Sequence, residues 1–233
     1  MLAGIDCGST LIKIAFKKGK SFKFYSQADY SLKQLTGILK KNHVTQKIFA
    51  GIKADKNIAR EIKLQAQGVQ ALAKLPKKFV LVSIGTGTSY TLVSETSMSR
   101  LPLGNSLAGG FILGLSKILG FKDFNDLVIK AKRGNHKKTD IYFKDLIVAN
   151  LANLNKKTRK EDIAAGLMNV IAVTIMKDLM LYKLDKENIV FIGSTLKNNF
   201  CLKKLLKKYI KKSIFIENGE FATALGALLS AEN

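Results

Sequence analysis

One order of elements occurs twice in this chain of 233 residues, and few architectures accept it. Residues 2–8 and 11–16 are apolar or β-branched runs flanking Gly8-Ser9-Thr10, and a Lys18-Gly19-Lys20 turn leads into a third run at 21–26. Ser31 opens a helical pattern carried by Leu32, Leu35, Ile38 and Leu39. A strand follows at 47–52, and 58–75 is helical, with Ile58, Ile62, Leu64, Val69, Leu72 and Leu75 on its apolar positions. After Pro76-Lys77-Lys78 the same order restarts, with strand 79–84, the turn Gly85-Thr86-Gly87, strands 88–94 and 97–103, and a helix from about 107 to 120. The pattern predicts an α/β fold of two β-β-β-α-β-α lobes, 1–76 and 77–233, each with a tight hairpin able to face a shared cleft. No sequence identity links the halves, so the duplication is one of pattern.

The second half continues with helices expected near 122–132, 143–154 and 161–183, a strand at 189–193, a helix at 198–211, a strand at 213–216 and a final helix at 219–231. The apolar segment Ile163 to Met176 is interrupted by Asn169 and Thr174 and closed by Lys177, too short to span a bilayer, and reads as a buried helix.

Charge narrows the partners. Lys and Arg number 39 against 17 Asp and Glu, a net of +22, yet only Arg60, Arg100, Arg133 and Arg159 are arginines. Forked recognition of bases and phosphates favours arginine's planar geometry, and the lysines are spread through every segment, so they read as a solvated surface rather than a nucleic-acid footprint. Cys7 and Cys201 stand far apart and His43 and His136 have no HxxxH partner, which leaves no readable zinc site or disulfide framework. The expected setting is the reducing cytoplasm, with no membrane partner.

Gly4-Ile5-Asp6-Cys7-Gly8-Ser9-Thr10-Leu11-Ile12-Lys13 carries the strongest chemical signal. An Asp ending a buried strand is costly unless it serves a cation, and a Gly-Ser-Thr turn after it offers N–H groups and hydroxyls to an anion. Together they suit Mg²⁺ and a nucleotide phosphate tail, with Lys13 adding a point charge; the alternative is a polar hairpin whose carboxylate serves local donors. Ser83-Ile84-Gly85-Thr86-Gly87-Thr88-Ser89 repeats the device without a carboxylate, and could equally be a plain glycine turn. Gly104-Asn105-Ser106-Leu107-Ala108-Gly109-Gly110-Phe111 opens a helix, where free N–H groups favour an anion unless the glycines serve close packing. Ile189-Val190-Phe191-Ile192-Gly193-Ser194-Thr195 is a buried strand ending in small residues, a wall against which an adenine can lie.

These motifs, in this order, together with the C-terminal Ile216-Glu217-Asn218-Gly219-Glu220-Phe221-Ala222-Thr223-Ala224-Leu225-Gly226, resemble the type II pantothenate kinases of the actin, hexokinase and acetate kinase superfamily. The resemblance implies ribonuclease H-like lobes about a nucleotide cleft, with dimerisation and adenosine-binding elements in the C-terminal lobe. It further implies ATP- and Mg²⁺-dependent phosphorylation of pantothenate, the first committed step of coenzyme A synthesis, by a homodimer. Carried over residue by residue, it makes Glu61 the general base, in Glu61-Ile62-Lys63-Leu64-Gln65-Ala66-Gln67-Gly68, and Arg100 a substrate contact. Asp6 would hold the metal, and Asp6, Cys7, Gly8, Ser9, Thr10, Leu11, Ile12 and Lys13 the phosphates. The remaining nucleotide contacts would come from Gly85, Thr86, Gly87, Gly109, Gly110, Phe111, Ile112, Leu113, Phe124 and Ser194. Lys63 and Leu64 replace the family's acidic and small residues, and Ala108 interrupts its run of glycines.

Other readings stay open. The opening motif is also similar to that of the ATPase activators of 2-hydroxyacyl-CoA dehydratases, which hold an iron–sulfur cluster through cysteines, although neither Cys7 nor Cys201 lies in such a setting. A sugar kinase of the same superfamily is a second alternative. The net charge and the altered base segment also suit a regulator that binds nucleotide or nucleic acid without catalysis.

Overall fold

The computed structural model describes residues 1–19, 21–27, 32–51, 53–54, 57–102 and 104–231. Ser31, read as the opener of the first helix, and Lys20, Ile52 and Leu103, read as turn or strand ends, lie outside them. By contacts the chain forms two compact units, the first from Met1–Leu81, Thr91–Arg100 and Ile216–Asn233, the second from Val82–Tyr90 and Leu101–Phe215.

In the first unit β1 (Leu2–Cys7), β2 (Ile12–Lys18), β3 (Ser21–Gln27) and β4 (Gln46–Ala50) form a sheet in the order β3-β2-β1-β4. β1 pairs antiparallel with β2 and parallel with β4, so it is central and buried almost throughout, which explains the apolar run that precedes Asp6. β3 lies at the edge and alternates exposed with half-buried residues. Ile5, Ile14 and Phe16 fill the core against Leu35 and Leu39 of α1 (Leu32–Lys41), each fully buried apolar side chain contributing about 1.5–3 kcal/mol. α2 (Ile58–Leu72) starts at Asn57, whose side chain accepts from the Arg60 amide, and packs on α7 (Ala222–Leu229), the two backbones coming close at two glycines. A Cβ added at Gly68 would stand 1.8 Å from the Ala222 carbonyl oxygen, and one at Gly226 1.8 Å from that of Leu64. α7, read from the sequence with the second lobe, therefore packs on the N-terminal elements, where the Phe221 ring just before it stacks on Phe24 at 4.8 Å.

A second sheet runs β11-β10-β5-β6-β7, made of β5 (Phe79–Ile84), β6 (Thr88–Val93), β7 (Met98–Arg100), β10 (Ile189–Ile192) and β11 (Ser213–Phe215). In the second unit α3 (Gly109–Ile118), α4 (Phe124–Arg133), α5 (Lys160–Leu181) and α6 (Phe200–Tyr209) surround a core centred on α5. α5 is long and apolar enough to cross a membrane, but it is buried along most of its length against α4 and α6.

The segment 143–154 is not the expected helix. β8 (Ile141–Phe143) and β9 (Leu146–Ala149) form a hairpin, with Lys144 and Leu151 in the left-handed region that no helix tolerates. The helical spacing of Phe143, Leu146, Ile147 and Leu151 is the by-product of a strand pair whose outer residues Ile141, Phe143, Leu146 and Val148 are exposed. The inner residue Tyr142 enters a polar cluster instead. There Asp140 accepts from Asn169 Nδ2 at 2.6 Å, the Leu151 amide at 2.8 Å and Asn150 Nδ2 at 3.2 Å, while Tyr209 Oη donates to Asn169 Oδ1 at 2.8 Å. Burial alone would raise the Asp140 pKa, but the bonds from His136, Leu151, Asn169 and Asn150 together hold it below its ordinary value.

Candidate functional site

Asp6 sits where β1 ends, 5 % exposed, and Lys13, its partner in the β1–β2 register, donates from Nζ to Asp6 Oδ2 at 3.0 Å. The turn closes with the Gly8 amide on the Leu11 carbonyl at 3.2 Å, leaving Ser9 and Thr10 at its tip. β4 ends beside the carboxylate: Gly51, at φ +90°, lies so close that a Cβ there would be 2.3 Å from Asp6 Oδ1. The Lys53 amide binds the Cys7 carbonyl at 3.1 Å, and burial followed by the Asp6 charge pushes the Cys7 thiol up. Burial also pushes the Cys201 thiol up, to about 11, so neither cysteine is poised as a thiolate ligand. Among the described residues no three His, Cys, Asp or Glu side chains gather as a metal group. A single buried carboxylate beside an open turn suits a cation that arrives with phosphate and water ligands, as Mg²⁺ does.

Glu61 lies in the first turn of α2 and Arg100 on β7, exposed and opposite Thr91. The three catalytic candidates Asp6, Glu61 and Arg100 all belong to the first unit. The nucleotide candidates Gly85, Thr86, Gly87, Gly109, Gly110, Phe111, Ile112, Leu113, Phe124 and Ser194 belong to the second.

In that second unit the β5–β6 turn closes with the Gly85 amide on the Gly87 carbonyl at 2.9 Å. The start of α3 seats directly on it, for the Gly109 amide donates to the Gly85 carbonyl at 3.0 Å and that of Gly110 to the Thr86 carbonyl at 2.8 Å. A Cβ at Gly109 would stand 2.5 Å from Thr195 Oγ1, and one at Gly110 2.8 Å from Thr86 Cγ2. The glycines at this helix start thus serve its approach to the turn, and these two amides are spent on carbonyls rather than held free for an anion. Thr195 Oγ1 also donates to the Gly85 carbonyl, at 2.8 Å, which brings the short 3₁₀ turn Ser194–Leu196 against the same hairpin. Phe124, half-buried, is the first residue of α4 after its Asp123 cap. Sequence reasoning missed Thr195 as an anchor, and also Asp178 and Tyr90, which bond to each other beside the loop before α3. Only Asp178 carried a signal, an acid near the end of a largely apolar helix.

The fold that carries these turns is that of the actin-fold ATPases and sugar kinases. An archaeal actin homologue, Ta0583, superposes with a TM-score of 0.53 at 12% identity over 99% of each chain. The activator of the 2-hydroxyisocaproyl-CoA dehydratase from Clostridium difficile, solved with bound ADPNP, reaches a TM-score of 0.75 at 17% identity, covering 99% of this chain and 93% of its own. At such identities the likeness is one of fold. Residues 56–156 match the Fumble family model. A protein named type II pantothenate kinase from Bacillus cereus (strain G9842) is 32% identical over 268 aligned positions, 98% of this chain and 97% of its own. The chain belongs to the type II pantothenate kinase family. Since 268 positions exceed the 233 residues here, that relative carries segments this chain lacks.

Proposed function

We propose that this protein transfers the γ-phosphoryl group of ATP to the primary hydroxyl of pantothenate, as a Mg²⁺-dependent kinase at the head of coenzyme A synthesis. The observation that carries the reading is full-length kinship to a protein named for that activity, combined with a buried Asp6 that ends β1 beside the Gly8–Leu11 turn.

Phosphoryl transfer asks a protein chiefly to position groups and neutralise charge. Magnesium, when bound, supplies Lewis-acid neutralisation of the phosphate oxygens, and Asp6 is the residue that would hold it. Lys13, already paired with Asp6, stands ready to share its charge with a phosphate. Ser9 and Thr10 hydroxyls at the turn tip orient phosphate oxygens beside Asp6. The Gly85–Gly87 turn of the second unit is by itself read as a phosphate cradle. Glu61 takes the proton from the pantothenate hydroxyl, and Arg100 pairs with the substrate carboxylate. We further propose that the working species is a homodimer in the cytoplasm, where Cys7 and Cys201, both free, stay reduced. The Cys7 and Cys201 settings favour the kinase over the iron–sulfur dehydratase activator.

The test is ADP release measured with pantothenate, pantetheine, N-acetylglucosamine or no acceptor. Release that depends on pantothenate is expected. Release with N-acetylglucosamine alone would reassign the protein to the sugar kinases, and none with any acceptor, together with salt-sensitive retention on DNA, would favour the non-catalytic regulator.

A further inference from the structure

Asp178, in the last turn of α5, has no role in the chemistry above, yet it anchors the loop that delivers α3 to the β5–β6 turn. Its Oδ2 accepts from Tyr90 Oη at 2.5 Å and from Asn105 Nδ2 at 3.0 Å. Tyr90 is 1 % exposed, and burial first, then the Asp178 bond and charge, drive its phenol far above its ordinary pKa, so the phenol stays the donor of this pair.

A carboxylate only accepts, so the Asn105 amide must turn its NH₂ towards Asp178 and leave Oδ1 on the other side. That oxygen accepts from the Leu107 amide at 2.7 Å. The Asn105 backbone is committed as well: its N–H donates to the Thr88 carbonyl at 2.9 Å and its carbonyl accepts from the Thr88 amide at 2.7 Å. Every polar group of Asn105 is therefore engaged, and Asp178 sets which way the side chain faces. The loop 104–108 is thereby fixed to the first residue of β6, one position after Gly87. On the other side of the same turn, Gly85 and Thr86 hold the first amides of α3.

We propose that Asp178 is a positioning residue for nucleotide binding: through Asn105 it fixes the loop before α3, and with it the seat of α3 on the Gly85–Gly87 turn. The proposal rests on the reading of that turn as a phosphate cradle. A mere brace would alter stability alone. A positioning residue alters affinity for MgATP in protein that is still folded, leaves the acceptor's KM unchanged, and tolerates any replacement that keeps an acceptor oxygen in place.

The experiment measures binding of a fluorescent methylanthraniloyl-ATP with Mg²⁺, beside thermal melting, for the full-length parent, Asp178→Ala, Asp178→Asn and Asn105→Ala. The parent must bind; if it does not, the cradle reading fails and this proposal falls with it. With binding in the parent, Asp178→Ala and Asn105→Ala are expected to lose at least fivefold in affinity at a temperature where each is folded. Asp178→Asn, whose Oδ1 can occupy the carboxylate oxygen's place, is expected within twofold of the parent. Should Asp178→Ala fail to fold, Asn105→Asp, which keeps the acceptor for the Leu107 amide and loses the donor to Asp178, decides by the same fivefold criterion. Folded alanine variants within twofold of the parent would overturn the proposal, as would Asp178→Asn losing as much affinity as Asp178→Ala. In turnover assays the loss is expected in KM for ATP, with KM for pantothenate within twofold.

Discussion

Lys13 faces Asp6 across the β1–β2 pair and donates to its carboxylate at 3.0 Å, so the strand-end acid carries its own counter-charge before any ligand arrives. With the side chains 15% and 7% exposed, the pair is shielded from water but not sealed from it. A buried ion pair of this kind is weak evidence for stability.

Asp6→Asn is the first consequence. The amide preserves shape, so the fold is expected to survive with a loss of roughly 1–3 kcal/mol, below the 3–5 kcal/mol of a fully buried broken pair. MgATP turnover is expected to disappear into the assay background. Melting curves and ADP release on the same sample separate the two effects, and parent-like turnover would remove Asp6 from the site.

Glu61→Gln is expected to keep ATP and pantothenate binding while kcat falls by about 10²–10⁴, the usual worth of a proton acceptor. Were Glu61 only a favourable charge in the first turn of α2, the change would cost about 0.3–1 kcal/mol and spare turnover. A kcat ratio under about threefold would move the base elsewhere.

Asp140 gives a pH prediction. Its folded pKa lies below its unfolded one, so its contribution is complete above the ordinary carboxylate range, about pH 4 and higher, and is lost as pH falls through the depressed folded value. Urea midpoints taken between pH 7 and pH 3 are expected to fall more steeply for the parent than for Asp140→Asn. Equal slopes would show that other acids carry the acid lability.

Gly68→Ala and Gly226→Ala each force a methyl into backbone 1.8 Å away, so both are expected to cost at least about 1–3 kcal/mol. Gly114→Ala, at an α3 position where an added Cβ meets nothing within 4 Å, is expected to be neutral or slightly stabilising. Thermal melts of the three variants make the comparison.

What the sequence disclosed follows from how local each feature is. Asp6 and the Gly8–Leu11 turn were legible because strand, carboxylate and turn are consecutive, and the same holds for Gly85–Gly87. The docking of α7 on α2 was not, since Gly68 and Ala222 are far apart in sequence and each looks like ordinary helix filler. The β8–β9 hairpin was missed because Phe143, Leu146, Ile147 and Leu151 happen to fit a helical period, while the residues that forbid a helix, Lys144 and Leu151, betray themselves only in their backbone angles. The seating of Gly109 and Gly110 on the β5–β6 turn was hidden for a comparable reason: a glycine that admits an anion and one that admits a carbonyl are identical as letters.

The pairing of α2 with α7 also has a meaning in time. A ribosome makes residues 58–72 early and residues 222–229 only after the whole second unit has been synthesised, so the N-terminal sheet and α2 wait through most of synthesis with the surface meant for α7 uncovered. The half of the molecule that begins first is the one completed last, and until then its exposed groove is the surface on which chaperones would be recruited or misassembly would start.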